Sequence, residues 1–499
     1  MLKKLRQTVA VISIILVTLL FLDFTGTAAA WFGWMAKIQF LPAVLALNVG
    51  VIIGLIVLTL VFGRIYCSVI CPLGIMQDGF AWFGKKAKKH RYFYSPAKNI
   101  LRYVLLALMI VAIIVGIGSF VALLAPYSAY GRIAQSLLSP IGIWANNTFA
   151  TWAEKINSYA FYNVDLWMRG TVTLVVAIVT LVVLGFLAWR NGRTYCNTIC
   201  PVGTVLGFLS RFSWLKPVID TSKCNSCGLC ARNCKAACID SKNHTIDYSR
   251  CVTCFDCIGK CHKGAISYSR TIPSLKGGVQ PITADHQEAP DTDRRKFLTV
   301  AGAVAVTAAV QAEEKFVDGG LATIIDKKAP KRATKIVPPG ALSINNLAQH
   351  CTACQLCVAS CPNGVLRPSS DLMSLMQPES SYERGYCRPE CTRCSDVCPT
   401  GAIRPIDVAD KSSIQIGHAV WVRDNCIPLT DGVSCGNCER HCPTGAITMV
   451  PSQADDENSP KIPVVNTEKC IGCGACENLC PARPFSAIYV EGHERHRII

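Results

Sequence analysis

Twenty-nine of the 499 residues are cysteine, and their spacing decides which chemistry they can do. Twenty-four form six groups of four: Cys224, Cys227, Cys230 and Cys234; Cys251, Cys254, Cys257 and Cys261; Cys351, Cys354, Cys357 and Cys361; Cys387, Cys391, Cys394 and Cys398; Cys426, Cys435, Cys438 and Cys442; Cys470, Cys473, Cys476 and Cys480. Four groups keep the C-x2-C-x2-C-x3-C run; the fourth and fifth lengthen only the first gap. Such a run sets three thiolates around one cubane cluster while the last cysteine reaches a neighbouring cluster. Zinc prefers two separated C-x2-C pairs, and disulfide staples belong to short secreted chains. The reading is six [4Fe-4S] clusters. Pro362, Pro399, Pro443 and Pro481 follow the last cysteine of groups three to six, and Pro-Thr-Gly-Ala-Ile occurs at 399–403 and again at 443–447. In groups one and two, ligand crossover assigns Cys224, Cys227, Cys230 and Cys261 to one cluster and Cys251, Cys254, Cys257 and Cys234 to the other. Lys235 and His262 stand where later groups have Pro. Cys238 falls where they have Ala402 and Ala446, and reads as an apolar filler.

Four more cysteines belong to a repeat. Gly-Arg-x-Tyr-Cys-x3-Cys-Pro occurs at 63–72 and again at 192–201. Cysteines four apart share one face of a helix, and Pro ends or restarts that helix. Two copies related by an axis along a membrane normal would bring Cys67, Cys71, Cys196 and Cys200 together. Four reduced thiolates suit an additional metal or redox site; small buried residues packing a helix turn are the other reading.

The elements that position these cysteines are set by apolar runs. Hydrophobic residues make up 51% of the chain and charged residues 17%, a balance that points to membrane spans. Stretches near 9–24, 40–62, 101–124 and 171–189 are each expected to cross a core of about 30 Å, which takes about 20 helical residues. Lys3, Lys4 and Arg6 precede the first stretch, and Lys85, Lys86, Lys88, Lys89, Arg91, Lys98 and Arg102 fill the second connection. The positive-inside rule therefore puts these in the cytoplasm. The opposite loop, 125–169, is rich in Trp and Tyr, as an interfacial belt is, and leaves room for a quinol head group near it. No histidine lies in the four stretches, so a membrane haem b is excluded and no haem is expected; the absence of charge away from their ends, where Asp23 and Arg102 lie, argues against a pump. Basic residues flank apolar runs instead of covering one soluble domain, which excludes a nucleic-acid binder.

A linker at 268–293 leads to Arg294-Arg295, followed by a mild apolar run to Ala312. That pattern is a twin-arginine export signal in mid-chain, and its run is either cleaved or retained as a fifth span. The organisation expected is a membrane α-helical domain over 1–215, a cytoplasmic two-cluster ferredoxin domain over 216–267, the linker, the signal at 294–312, and a periplasmic four-cluster domain over 313–499. The fold class is membrane α-helical, with four spans and a candidate fifth, joined to α+β ferredoxin-like 2[4Fe-4S] and 4[4Fe-4S] domains.

The paired Cys-x3-Cys-Pro motifs with the two-cluster tail make residues 1–267 resemble NapH and the membrane part of NosR. The twin-arginine signal with four ferredoxin motifs makes 294–499 resemble NapG and the four-cluster subunits of respiratory molybdoenzymes. This resemblance implies an inner-membrane protein that passes electrons from menaquinol to a periplasmic reductase or cytochrome, with membrane lipid and the quinone pool as partners. It leaves two alternatives: a conduit from a cytoplasmic ferredoxin or flavoprotein, and a NosR-like redox sensor or maturation factor. By the same analogy group three would pair with six and four with five, giving Cys351/354/357/480, Cys470/473/476/361, Cys387/391/394/442 and Cys426/435/438/398; sequential pairing stays open.

Overall fold

The computed structural model describes residues 2–88, 92–158, 161–270, 317–318, 322–323, 325–453 and 455–499. Arg294-Arg295 and the candidate fifth span lie outside the described residues. The first 210 residues form a helical bundle in two similar halves. The first half comprises α1 (Leu2–Leu22), α2 (Thr27–Phe32), α3 (Trp34–Lys37), α4 (Phe40–Leu45), α5 (Val49–Phe62), α6 (Tyr66–Val69) and α7 (Pro72–Lys88). The second comprises α8 (Asn99–Val115), α9 (Gly118–Leu124), α10 (Pro126–Ile133), a π-helical turn at Ala134–Leu138, α11 (Ser139–Lys155), α12 (Thr171–Asn191), α13 (Thr194–Thr198) and α14 (Pro201–Ser210).

Among the described residues only α1 and α12, with 21 residues each, are long and apolar enough to cross a bilayer. The other two expected stretches are each divided by a turn, so that only their segments α5 and α8 run between the two ends of the bundle. Within 40–62 the chain runs up α4, turns at Leu47 (φ +52°), and restarts as α5, whose first turn is capped by the Asn48 side chain accepting from Val51 N. Within 101–124, α8 stops at Gly116 (φ +84°), where the N–H groups of Gly116 and Ile117 both return to the Ala112 carbonyl. A left-handed glycine closing the last turn is a strong helix stop. Hydropathy cannot see these turns, because the residues on both sides are equally apolar. At 14 and 17 residues, α5 and α8 reach about 21 and 26 Å at 1.5 Å per residue, short of the hydrocarbon thickness.

The bundle has two ends. At the near end, where α1 begins and α5 finishes, sits a two-motif domain closed by antiparallel strands β1 (Leu215–Ile219) and β4 (Ile266–Arg270), with the hairpin β2 (Ile239–Asp240) and β3 (Thr245–Ile246) between them. Trp214 N donates to Leu60 O at 2.7 Å, and Lys3 pairs with Asp256 at 2.7 Å. Asp78 of α7 accepts Arg6, Arg193 and Lys235, tying α1, the second repeat and this domain together. At the far end sits the four-motif domain, on Phe24 O through Arg393 and on residue 169 through Arg169 Nη1 donating to Val358 O at 2.7 Å. Its strands follow β5 (Val317–Asp318) and β6 (Ala322–Thr323): β7 (Leu366–Pro368) pairs with β8 (Pro378–Ser380), β9 (Ile414–Trp421) with β12 (Ile488–Ile498), and β10 (Ile447–Gln453) with β11 (Asp456–Val465), all antiparallel. Around the bundle, apolar side chains face outward at helical spacing: Val104, Leu108, Val111 and Val115 on α8, and Val175, Val179, Val182 and Phe186 on α12. A soluble helix turns that stripe inward.

Candidate iron–sulfur centres

Each pair of consecutive motifs is joined by one antiparallel hairpin: β2–β3 between groups one and two, β7–β8 between three and four, β10–β11 between five and six. A hairpin doubles the chain back, so the second motif lands on the first. In the two-motif domain Cys234, Cys251, Cys254 and Cys257 line one small hollow. Cys224, Cys227 and Cys230 stand together, and Cys261 accepts the Ala265 N–H at 3.3 Å. The Cys238 thiol lines the same hollow, with Sγ 3.5 Å from that of Cys234.

The far domain corrects the pairing taken by analogy. Cys351, Cys354 and Cys357 all feel the charge of Cys398, and Cys387 and Cys394 feel that of Cys361. Cys426, Cys435, Cys438 and Cys480 line a second hollow, and Cys442, Cys470, Cys473 and Cys476 a third. Groups three and four therefore exchange their fourth cysteines, as do five and six. The hairpins supply the reason, since each carries its motif onto the one just before it.

The chemistry of these hollows fits a cluster better than a single ion. Three hollows each take three cysteines of one motif and one of its neighbour, the ligand set of a cubane, whereas zinc prefers two separated C-x2-C pairs. Burial pushes the Cys254, Cys354 and Cys473 thiols up to about 12, so cofactor binding must displace their protons. Backbone N–H groups already point at sulfur: Ile403 N at Cys398 (3.4 Å), Ala446 N at Cys442 (3.2 Å) and Ala487 N at Cys480 (3.3 Å). Two of these donors come from the Pro-Thr-Gly-Ala-Ile repeats, and such bonds tune cluster potentials. A cluster held here supplies one-electron storage and transfer.

The two Cys-x3-Cys-Pro turns meet inside the bundle. Cys67, Cys71, Cys196 and Cys200 are all buried, and Cys200 feels the charge of the other three. The relation between the copies is a pseudo-two-fold. Arg64 Nη2 donates to Cys196 O at 3.1 Å, and Arg193 Nη1 donates to Cys67 O at 2.7 Å. Gly74 and Gly203 pack so tightly that a Cβ on either would lie 2.2 Å from the Cys67 or Cys196 carbonyl oxygen. The tyrosines of the repeat, which the sequence reading left without a role, cap two re-entrant hairpins. The first leaves the far end at Gly26, bends at Gln39-Phe40 and returns at Ala46 beside Gly401; Tyr66 Oη accepts from Phe40 N and donates to Gln39 Oε1, both at 3.0 Å. The second leaves at Gly116, bends at Leu124–Pro126 and returns at Gly131, whose Cβ position is 2.3 Å from Cys354 O; Tyr195 Oη donates to Leu124 O at 2.9 Å.

The cysteine sets consequently form a file. The Cys251 thiol feels the charge of Arg64, whose Nη2 donates to Cys67 Sγ of the repeat at 3.8 Å. Tyr195 lies between the repeat thiols and Arg132, and Arg132 and Tyr127 face Cys354. The Cys361–Cys387 set follows, and Cys387 N donates to Cys473 O at 2.9 Å in the next.

Comparison with known proteins agrees with this arrangement. A 4Fe-4S binding domain family matches residues 44–90 and 170–219, one match on each copy of the repeat. Two 4Fe-4S dicluster domain families match 350–403 and 433–483, so groups three and four fall in one match and most of groups five and six in the other. The chain is 34% identical to the methylamine utilization ferredoxin-type protein MauM of Methylobacillus flagellatus over 32% of its own length and 70% of MauM. It is 30% identical to the ferredoxin-type protein NapG of Escherichia coli over 38% and 82%, and 26% identical to the putative electron transport protein YccM of the same organism over 44% and 55%. No solved structure matches.

Proposed function

Because the chain belongs to the ferredoxin-type 4Fe-4S proteins related to MauM and NapG, and is therefore an iron–sulfur electron-transfer protein, we propose that it works in the bacterial inner membrane, taking electrons from quinol and delivering them to a periplasmic reductase or cytochrome. The observation that carries this reading is placement: the four-motif domain caps the end of an outwardly apolar bundle opposite the two-motif domain, where Lys85 donates to Asn233. Six clusters on the six cysteine sets, export through Arg294-Arg295 and a cytoplasmic position for 216–293 complete the proposal. The test is sidedness. In spheroplasts external protease should digest the far domain of the native protein and leave it protected when both arginines are replaced by lysine. Equal protection in both would place that domain in the cytoplasm and sink the reading.

The four repeat thiols favour a second reading, in which electrons also enter from a cytoplasmic donor and cross the bundle. Here Cys67, Cys71, Cys196 and Cys200 hold the additional redox centre between the two domains. In inside-out vesicles, which present the near face, dithionite should reduce the far-domain centres of the native protein, read by electron paramagnetic resonance, and should fail to do so in Cys200→Ala. Undiminished reduction in that variant would show that the repeat is structural.

A further inference from the structure

A cavity of about 830 Å³ opens where the far end of the bundle meets the four-motif domain, within the range of about 300–1,000 Å³ usual for small-molecule sites. Its floor is the cysteine loop of group three, through Gln355 and Cys361. Its roof is the segment 162–170, fastened down by Arg169 on Val358 O and by Trp167, whose ring lies under the guanidinium groups of Arg169, Arg367 and Arg384 at 5.7, 5.1 and 5.1 Å. Phe24, Ile143, Met168 and Leu174 make one wall apolar, and it adjoins the outward apolar stripe of α12.

Two buried amides in this cavity lack partners. Gln135 Oε1 and Gln355 Nε2 have no hydrogen-bond partner among the described residues, although the residues are only 5% and 2% exposed. Buried polar atoms are almost always paired, so an acceptor and a donor left open in one cavity await a ligand. Gln355 is held at φ +64°, as Gly228 (φ +69°), Phe255 (φ +62°) and Gly474 (φ +80°) are at the same position of groups one, two and six.

We propose that this cavity binds a quinol head group, with Gln135 Oε1 accepting from one ring hydroxyl and Gln355 Nε2 donating to the other oxygen. The inference rests on the quinol reading above and gives it a place. The ligand must be lipid-soluble to enter by the apolar wall, must carry a donor and an acceptor, and must reach a redox centre; a quinol meets all three conditions. On oxidation both ring O–H bonds break and two C=O bonds form. The two protons leave by the Asp165 carboxylate, which lines the cavity and is exposed, to water on that face. The oxidant would be an iron–sulfur cluster held by Cys361 with Cys387, Cys391 and Cys394, which would supply one-electron acceptance for the two electrons in turn.

The test uses the full chain in nanodiscs and a fluorescent hydroxyquinoline N-oxide with a heptyl tail as the quinol analogue. Saturable quenching of its fluorescence is expected with the native protein. Gln135→Leu and Gln355→Gly should each weaken binding at least tenfold. Gln355→Gly relieves the left-handed strain, so its thermal midpoint and resonance spectrum should match the native protein, and loss of binding then reports the missing amide. Quenching of unchanged affinity in both variants, or none in the native protein with phospholipid retained in the cavity, would overturn the proposal. The dithionite arm contains no quinol, so failure of the transmembrane relay and failure of this site are read separately. If the site is correct, a short-tailed quinol should still reduce the far-domain centres in Cys200→Ala.

Discussion

At the scale of single residues, close packing around the repeat makes a sharp contrast between glycines. Gly203→Ala would drive a Cβ to 2.2 Å from Cys196 O and 2.9 Å from Arg64 Nη2, whereas Gly54 has nothing within 4 Å. Overpacking costs about 1–3 kcal/mol or more when backbone must shift, while Gly→Ala within an exposed helix gains up to about 1 kcal/mol. Thermal unfolding in detergent should therefore fall for Gly203→Ala and hold or rise for Gly54→Ala; equal midpoints would contradict the tight two-fold contact. A second residue sets a pH dependence. Burial, helped by His493, lowers His496 to about 4 from its usual 6.5. The folded state therefore keeps this ring neutral while the unfolded chain protonates it, so its share of stability is complete above pH 6.5 and is lost as pH falls towards 4. The far domain of His496→Gln should lose less thermal stability between pH 7 and pH 5 than the native domain.

Among the elements, the re-entrant hairpins are the feature with the most structural consequence. With seven and eight residues, α9 and α10 rise about 10 and 12 Å, enough to reach the middle of a bilayer and return. Their bends expose backbone polar groups at depth, where each unsatisfied one is costly. Tyr66 and Tyr195 satisfy those groups. Tyr66→Phe strands both Phe40 N and Gln39 Oε1, and Tyr195→Phe strands only Leu124 O. At about 1–3 kcal/mol per orphaned buried group, both variants should be destabilised, Tyr66→Phe more so. Chemical denaturation in detergent checks the order, and the reverse order would mean that Tyr66 is not what holds the first bend.

For the whole molecule, the file of cysteine sets makes metal content a direct measurement. Six cubanes require about 24 iron per chain at about four each. Iron added by the four repeat thiols should disappear in Cys71→Ala and Cys200→Ala while that of the ferredoxin sets remains. Anaerobically purified protein with about 8 iron and stoichiometric zinc would reject the cluster reading outright.

Ligand chemistry is the part of this protein that sequence alone determined. Cysteines three and four apart have only a few bonds between them, so local geometry forces them around one centre whatever the remainder of the chain does. The same holds for the repeat at Cys67 and Cys196, whose matched offset already implied a shared axis. Pairing among groups three to six needed tertiary structure, because spacing says how far a fourth cysteine can reach but not which hairpin brings a partner to it; β7–β8 and β10–β11 made that choice. Span number was likewise undecided, since an apolar run has one hydropathy whether it crosses or doubles back. The stops at Asn48 and Gly116 were visible as residues, yet only the Tyr66 and Tyr195 hydrogen bonds turned them into re-entrant hairpins. The sequence left room for a quinol head group near the 125–169 loop but did not show the cavity that this loop forms beside Cys361. It exists because Gln135, the 162–170 segment and Gln355, far apart along the chain, meet where the far domain seats on the bundle, and no local pattern encodes a contact of that range.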